Sequence, residues 1–478
     1  MNLIREACYI DGKWQAANNG KSFPVHNPFD NSLIGHVPEC GEDETERAII
    51  AANKAWPAWR ELLAKERADL LLNWSQLITQ HREELAVIMT MEQGKSLTES
   101  RGEIDYANSF IRWYAEEARR VYGDIIPAHR RNFHLLVIKQ AIGVVAAITP
   151  WNFPAAMITR KIAPALAVGC TAVVKPDEAT PFSALALAAL AEQAGLPKGV
   201  LNVVTGKPEL IGKAMTSSDL VRKLSFTGST QVGRLLMQQC ASTIKKVSLE
   251  LGGNAPFIVF DDADIDAAVE GAMISKFRNS GQTCVCANRI YVQDAVYDEF
   301  AKKLAKAMQQ LKLGNGLEDG VQQGPLINEA AIIKVEDHIA DAVSKGANII
   351  CGGKRSVLGG LFFEPTLLTN VDKNMKIAKE ETFGPVAPLF RFHHEEEAIQ
   401  FANDTEFGLA SYFYSKQMAR IWRVAEGLEY GMVGINTGLL STEVAPFGGV
   451  KESGLGREGS KYGVEDYLEV KYLCMGDG

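Results

Sequence analysis

The chain has 478 residues, 46% hydrophobic and 23% charged, with a formal net charge of -8. The length predicts about three domains, and the composition is that of an ordinary soluble globular protein. The acidic balance, unbroken by any lysine/arginine run, excludes a nucleic-acid surface, and no stretch reaches the ~18 apolar residues of a membrane span.

Short apolar, β-branched runs alternate with helical ones, which predicts parallel sheets with crossover helices. In chain order, residues 143–149 (GVVAAIT) read as a strand, 158–168 as a helix and 171–175 (TAVVK) as a strand. Residues 183–194 (SALALAALAEQA) form a strong helix stopped by Gly195 and Pro197. A strand at 200–204, a helix at 210–215 and a strand at 223–226 complete a doubly wound pattern. A second α/β region opens at Leu251-Gly252-Gly253, with strands at 256–260 and 289–292 and helices at 265–275 and 296–312. Two β-rich segments stand apart, about 120–140 and the tail after Gly459. They read as projecting strands that pair between subunits, because an unpaired edge is a liability.

Met1 to Tyr9 lacks the apolar core of a signal peptide, and eight cysteines are too sparse for a disulfide scaffold, so a reducing cytoplasm is expected. No metal is expected. There is no His-Glu-x-x-His pattern, and Cys284 and Cys286 lack the Cys-x-x-Cys spacing of zinc sites. His393-His394, before Glu395 to Glu397, read as a solvated face.

Two motif matches are set aside. Gly454 to Gly459 fits G-x-G-x-x-G but follows a loop, with too little chain after it for a βαβ unit; Gly206 to Lys213 resembles a P-loop but has one spacer too many and Ala214 where Ser or Thr is needed. Other segments carry chemistry. Gly281-Gln282-Thr283-Cys284 presents a thiol on a tight turn, which suits a nucleophile. An isolated cysteine near a bend is more often a small apolar residue, so the reading depends on finding a base, an oxyanion site and an electron acceptor elsewhere. Phe226-Thr-Gly228-Ser229 follows a strand and opens a helix, where free N–H groups meet a phosphate or are simply capped. Glu178, after the strand ending at Lys175, is a carboxylate placed to hold a ribose, or a turn residue. Asn152 in Pro150-Trp151-Asn152-Phe-Pro can donate to an oxyanion. Glu250 in Leu249-Glu250-Leu251-Gly-Gly sits in an apolar run that would raise its pKa toward that of a useful base.

Together these segments resemble the aldehyde dehydrogenase superfamily: PWNFP (150–154), FTGS (226–229), LELGG (249–253), GQTC (281–284), EETFGP (380–385) and PFGG (446–449) stand in its order and spacing. Within it, MITRK (157–161), SKFRN (275–279), GQTCVCA (281–287) and REGSKYG (457–463) resemble the succinate-semialdehyde dehydrogenases.

The resemblance implies two doubly wound α/β domains plus a small β oligomerisation arm. The cofactor-binding domain would span 1–119 and 142–251, the catalytic domain 252–445, and the arm 120–141 and 459–478. It also implies a homodimer or homotetramer. Cys284 would attack the aldehyde, Asn152 and the Cys284 N–H would hold the oxyanion, and Glu250 would activate water, with Lys161 close by. Trp151, Lys175, Glu178, Gly228, Ser229, Leu251, Glu381 and Phe383 would bind the cofactor. That cofactor is expected to be NAD, with NADP possible, since a carboxylate at 178 repels a 2′-phosphate. Arg160, Arg278 and Ser441 would clamp the distal carboxylate of a small aldehyde, and Cys286 would be a candidate redox switch. The expected reaction is oxidation of succinic semialdehyde to succinate. Glutaric semialdehyde is the rival, since a pocket separates one methylene by only ~1–3 kcal/mol. A non-catalytic relative is the third reading, against which intact Cys284, Glu250 and Asn152 argue.

Overall fold

Runs such as VVAAI and TAVVK are short, β-branched and apolar on both faces, which suits parallel strands buried between helices. The computed structural model, which describes residues 2–476, places them side by side at the centre of an eight-stranded sheet. Its parallel strands are β1 (Val144–Ile148), β2 (Thr171–Lys175), β3 (Leu201–Val203), β4 (Val221–Thr227) and β5 (Lys246–Glu250), in the spatial order β5-β4-β1-β2-β3. The strand period of two is visible in the core. Val145 and Ala147 of β1 join a cluster with Trp59, Trp74 and Phe110, while Val144 and Ala146 face Ile49, Leu224 and Leu249 on the other side. The crossover helices α1 (Ala156–Ala167) and α2 (Pro181–Gln193) are buried along nearly their whole length.

In this sheet the chain steps from β1 to β2 and β3, then returns to lay β4 on the other side of β1. The strand order therefore reverses between β1 and β4, and the crevice outside their carboxyl ends is the place where such sheets bind ligands.

The second sheet contains β6 (Ala255–Val259), β7 (Ala287–Gln293), β8 (Thr366–Thr369), β9 (Val386–Phe392), β10 (Ala410–Tyr414) and β11 (Met432–Ile435), all parallel, in the order β8-β9-β7-β6-β10-β11. Only four residues, Leu251 to Asn254, connect β5 of the first sheet to β6 of the second.

Three features differ from the sequence reading. Both sheets are mixed: Cys8–Ile10, Lys13–Gln15 and Gly454–Leu455 add antiparallel to the first, and Asn348–Cys351 to the second. Residues 446–458, outside the expected domain boundaries, thus return to β5. The β-rich segments also pair with each other inside one chain, Leu468–Gly476 against Phe133–Ala141, with Asp124–Ile126 on the far side. Both outer strands are still open edges, with Ile125, Val470 and Tyr472 exposed. Residues 477 and 478 of the expected arm lie outside the described residues.

Candidate active site

Four neighbouring strands deliver the first half of the site. After β1 come Trp151 and Asn152, β2 ends on Lys175, β4 leads into Gly228 and Ser229, and β5 ends on Glu250. Ser229 caps the helix α3 (Thr230–Cys240) by accepting from Val232 N–H at 3.4 Å, and this helix opening faces solvent, an arrangement suited to a phosphate. A side chain at Gly228 would bring its Cβ within 2.4 Å of the Phe226 ring, and one at Gly233 within 2.4 Å of Leu251 Cδ2. Glycine thus lets the chain turn and α3 approach the sheet. Leu251 itself has its side chain in the core. Lys175 Nζ donates to Glu178 Oε2 at 2.7 Å, holding the partly exposed carboxylate at the rim. A turn glycine, a free helix start and a rim carboxylate at a switch point together fit a dinucleotide.

The thiol comes from the other sheet. Helix α4 (Ile265–Phe277) ends, and Asn279, Ser280 and Gly281 follow in left-handed conformations, with φ of 51°, 55° and 76°. At Gly281 a Cβ would lie 2.2 Å from Gly384 O, so only glycine is accommodated there. The loop is then tied down: Gln282 Nε2 donates to Asn279 O (3.2 Å), Ile327 N–H to Gln282 Oε1 (2.9 Å), and Tyr412 OH to Val285 O (2.8 Å). Asn152 Nδ2 donates to Gln282 O at 3.0 Å, placing its amide against the cysteine loop. In the connector between the sheets, a Cβ on Gly253 would lie 2.4 Å from Cys284 O. Gly253 N–H also donates to Glu381 Oε1 at 3.2 Å. Phe383, at φ 54°, meets Trp151 edge-on with ring centroids 5.6 Å apart, so the 380–385 and 150–154 loops face each other across the crevice.

Arg278 is half-buried with its guanidinium carbon 5.1 Å from the centroid of Phe153, and with Thr283, Tyr412 and Ser441 it lines one small crevice beside Cys284. Arg160 and Lys161, adjacent on α1, are buried. Both meet Glu458: Lys161 Nζ donates at 2.5 Å to Glu458 Oε1 and at 2.6 Å to Thr227 Oγ1. Arg160 Nη2 lies 2.8 Å from Glu458 Oε2 but out of line for a hydrogen bond. Arg160 Nε and Nη2, Asn152 Oδ1 and Glu250 Oε2 are therefore all buried without a hydrogen-bond partner. Buried polar atoms ordinarily have partners, so these leave room for a ligand to supply them.

The electrostatics add what a turn motif does not carry. Rather than an accessible thiolate in positive surroundings, Cys284 is only partly exposed, and burial pushes its thiol up to about 12 against the opposing charge of Arg160. Burial, reinforced by Glu458, raises the Glu250 carboxyl well above the ordinary carboxylate range, as its apolar run predicts. Burial also pushes Glu381 up to about 7. Burial thus pushes the Cys284 thiol and the Glu250 carboxyl in the same direction, toward their protonated forms. Cys286 is fully buried, its Sγ 3.5 Å from the Lys276 carbonyl.

Sequence reading missed Glu458, which lies 297 positions from Lys161. It also missed Lys95 and Glu103, buried beneath Asn152. A carboxylate inside GREGS carries no periodicity that separates it from a surface charge.

A switch-point crevice shaped for a dinucleotide, with a cysteine loop held by the Asn152 amide, fits a cofactor-linked enzyme. The chain belongs to the aldehyde dehydrogenase family, whose model matches residues 14–473. It is 64% identical over 475 residues to the NADP(+) succinate-semialdehyde dehydrogenase GabD of Escherichia coli (strain K12), covering 99% of this chain and 98% of that one. It is 65% identical over 474 residues to the glutarate-semialdehyde dehydrogenase of Pseudomonas aeruginosa, with the same coverage. The crystal structure of succinate-semialdehyde dehydrogenase from Burkholderia pseudomallei superposes with a TM-score of 0.99 at 63% identity, covering 100% of this chain and 99% of that one. Members of this family bind NAD(P) and act on small aldehydes.

Proposed function

We propose that the chain oxidises an aldehyde bearing a distal carboxylate, succinic semialdehyde foremost, to the corresponding acid. The observation that carries this reading is the crevice that Arg278 and Ser441 share with Thr283 and Val285, the two chain neighbours of Cys284. Arginine recognises a carboxylate bidentately, and serine completes the set of donors. Glutaric semialdehyde remains the rival: relatives bearing the two names are 64% and 65% identical, and one methylene is a small difference.

Lys175, Glu178, Ser229 and Glu381 would hold a nicotinamide dinucleotide, with Trp151 and Phe383 toward its nicotinamide end, and the dinucleotide would supply the hydride acceptor. Cys284, its proton passed to water, adds to the aldehyde carbon as a thiohemiacetal. Asn152 Nδ2 and the Cys284 N–H donate to the oxygen that becomes negative. Having given up its hydride, the substrate carbon stays on Cys284 as a thioester, and Glu250 takes a proton from the water that hydrolyses it. Its raised pKa makes Glu250 a stronger proton acceptor once ionised. NAD is preferred because the Glu178 carboxylate would face a 2′-phosphate, while the charge of Lys175 is already met by Glu178.

The expected domain boundaries belong to this proposal, as does a cytoplasmic setting. Among the described residues no helix is long and apolar enough to cross a membrane. The open edges of the three-stranded sheet support assembly into a dimer or tetramer. Steady-state assays with succinic, glutaric and uncharged aldehydes, each with NAD and NADP, test the reading. The highest kcat/KM should be for succinic semialdehyde with NAD, and a preference for the uncharged aldehyde would overturn the clamp.

A further inference from the structure

We propose that Lys95 is a positioning residue for the oxyanion-binding amide, acting through the main chain of Asn152. This inference rests on the role given to Asn152 above. Lys95 lies between the helices Arg82–Gln93 and Leu97–Glu117 and is 2% exposed. Its Nζ donates to Glu103 Oε2 at 2.5 Å and to Asn152 O at 2.7 Å, and lies 4.1 Å from the centroid of the Phe153 ring. An ammonium has three donors, and three acceptors surround this one. Filling the space with a charge costs desolvation that an apolar side chain would not. Beyond its pair with Glu103, what this charge gains is a hold on Asn152.

The same short segment holds both loops of the site. Glu103 Oε1 accepts from the N–H groups of Ala155 (2.9 Å) and Ala156 (3.2 Å), where α1 begins. Glu99 Oε1 accepts from Asn279 N–H at 2.6 Å, and Gln93 Nε2 donates to Asn279 Oδ1 at 3.0 Å. Asn279 Nδ2 returns to Asn152 O at 3.1 Å, beside the Lys95 contact. The Asn152 carbonyl is therefore held by two donors, and one amide hydrogen is committed to Gln282 O. Those three contacts fix where the second amide hydrogen points. Without Lys95 the carbonyl keeps only Asn279, and the amide gains freedom to turn away from the developing oxyanion.

The test compares Lys95→Met, Lys95→Arg and the doubly substituted Lys95→Met/Glu103→Gln, which leaves no unpaired buried charge if the single change fails to fold. Each is made in the full chain, with and without Asn152→Ala. The readouts are melting temperature, KM, and kcat per Cys284 thiol titrated with iodoacetamide. Misplacing a catalytic group by about an ångström costs roughly 10²-fold, so kcat per thiol should fall by about that factor while KM moves less than about twofold, and Lys95→Arg should recover part of the loss. In the Asn152→Ala background the same change should cost less than about another twofold, because the group it positions is gone. Unchanged kcat per thiol in a folded double variant would overturn the proposal. So would an undiminished loss in the Asn152→Ala background, which would mark a purely structural role. If Asn152→Ala alone kept full kcat, the assignment of Asn152 would fall instead.

Discussion

Arg278→Ala is the sharpest test of substrate choice. The change removes the cation from the crevice shared with Thr283 and Ser441, and leaves Phe153 without the guanidinium 5.1 Å from its centroid. A hydrogen bond to a charged group contributes about 1.5–3 kcal/mol, and about 1.4 kcal/mol is a factor of ten, which brackets the loss between roughly 10-fold and 100-fold. Two features favour the lower end. Arg278 is only half-buried, so water competes for the same charge, and Ser441 remains in the crevice to donate to a carboxylate. The expected outcome is a fall of about 10- to 30-fold in kcat/KM for succinic semialdehyde, mostly in KM, and less than about twofold for butanal. Initial rates of reduced-cofactor absorbance on both substrates measure this directly. Equal fractional losses on the two aldehydes would refute the clamp, since a general disturbance of the cysteine loop treats them alike.

The raised thiol predicts that alkylation of Cys284 by iodoacetamide in the cofactor-free protein climbs about tenfold per unit between about pH 7 and pH 9, because thiolate is scarce well below its pKa of about 12; a plateau in that range would contradict the burial argument. Glu250→Gln should release about one equivalent of reduced cofactor per site and then slow by 10²-fold or more, as the thioester waits for a base. Stopped-flow measurement decides it, and an undiminished steady state would remove Glu250 from that role. Glu178→Ser should raise the NADP-to-NAD ratio of kcat/KM by about tenfold through relief of like-charge repulsion; an unchanged ratio would mean that specificity lies elsewhere. Gly281→Ala forces a side chain into a left-handed position 2.2 Å from Gly384 O, and should lower the melting temperature by several degrees, for about 2 kcal/mol or more of strain and clash. Calorimetry showing no change would mean that the loop has room to relax.

Local pattern carried the sequence reading a long way. β1 and β2 stand out because a strand buried on both faces must be apolar throughout, and α2 because SALALAALA has no polar face to present. The cysteine loop, the FTGS turn and the LELGG carboxyl were legible because tight turns demand particular residues at fixed spacing. What pattern could not supply was pairing at a distance. Glu458 joins Arg160 and Lys161, and the 93–103 segment reaches Asn152, through contacts that no local spacing encodes. The thiol's burial was out of reach for a related reason. A Gly-Gln-Thr turn suggests exposure, but the loop is roofed by Gly253, Glu381 and Tyr412, each from a remote part of the chain.

The connector from Leu251 to Asn254 acts as a ruler between Glu250 and Cys284, the proposed base and nucleophile. Glu250 fixes one end as the last residue of β5, and at the other Gly253 rests against the carbonyl of Cys284. Leu251 N–H is bound to Ser453 O at 2.9 Å and Asn254 Nδ2 to Ala378 O at 3.1 Å, so the span has no slack. Surface links between sheets ordinarily accept extra residues at little cost. Here one inserted residue would shift Glu250 relative to Cys284 while leaving both sheets intact, so on the proposed roles the protein would fold and lose turnover.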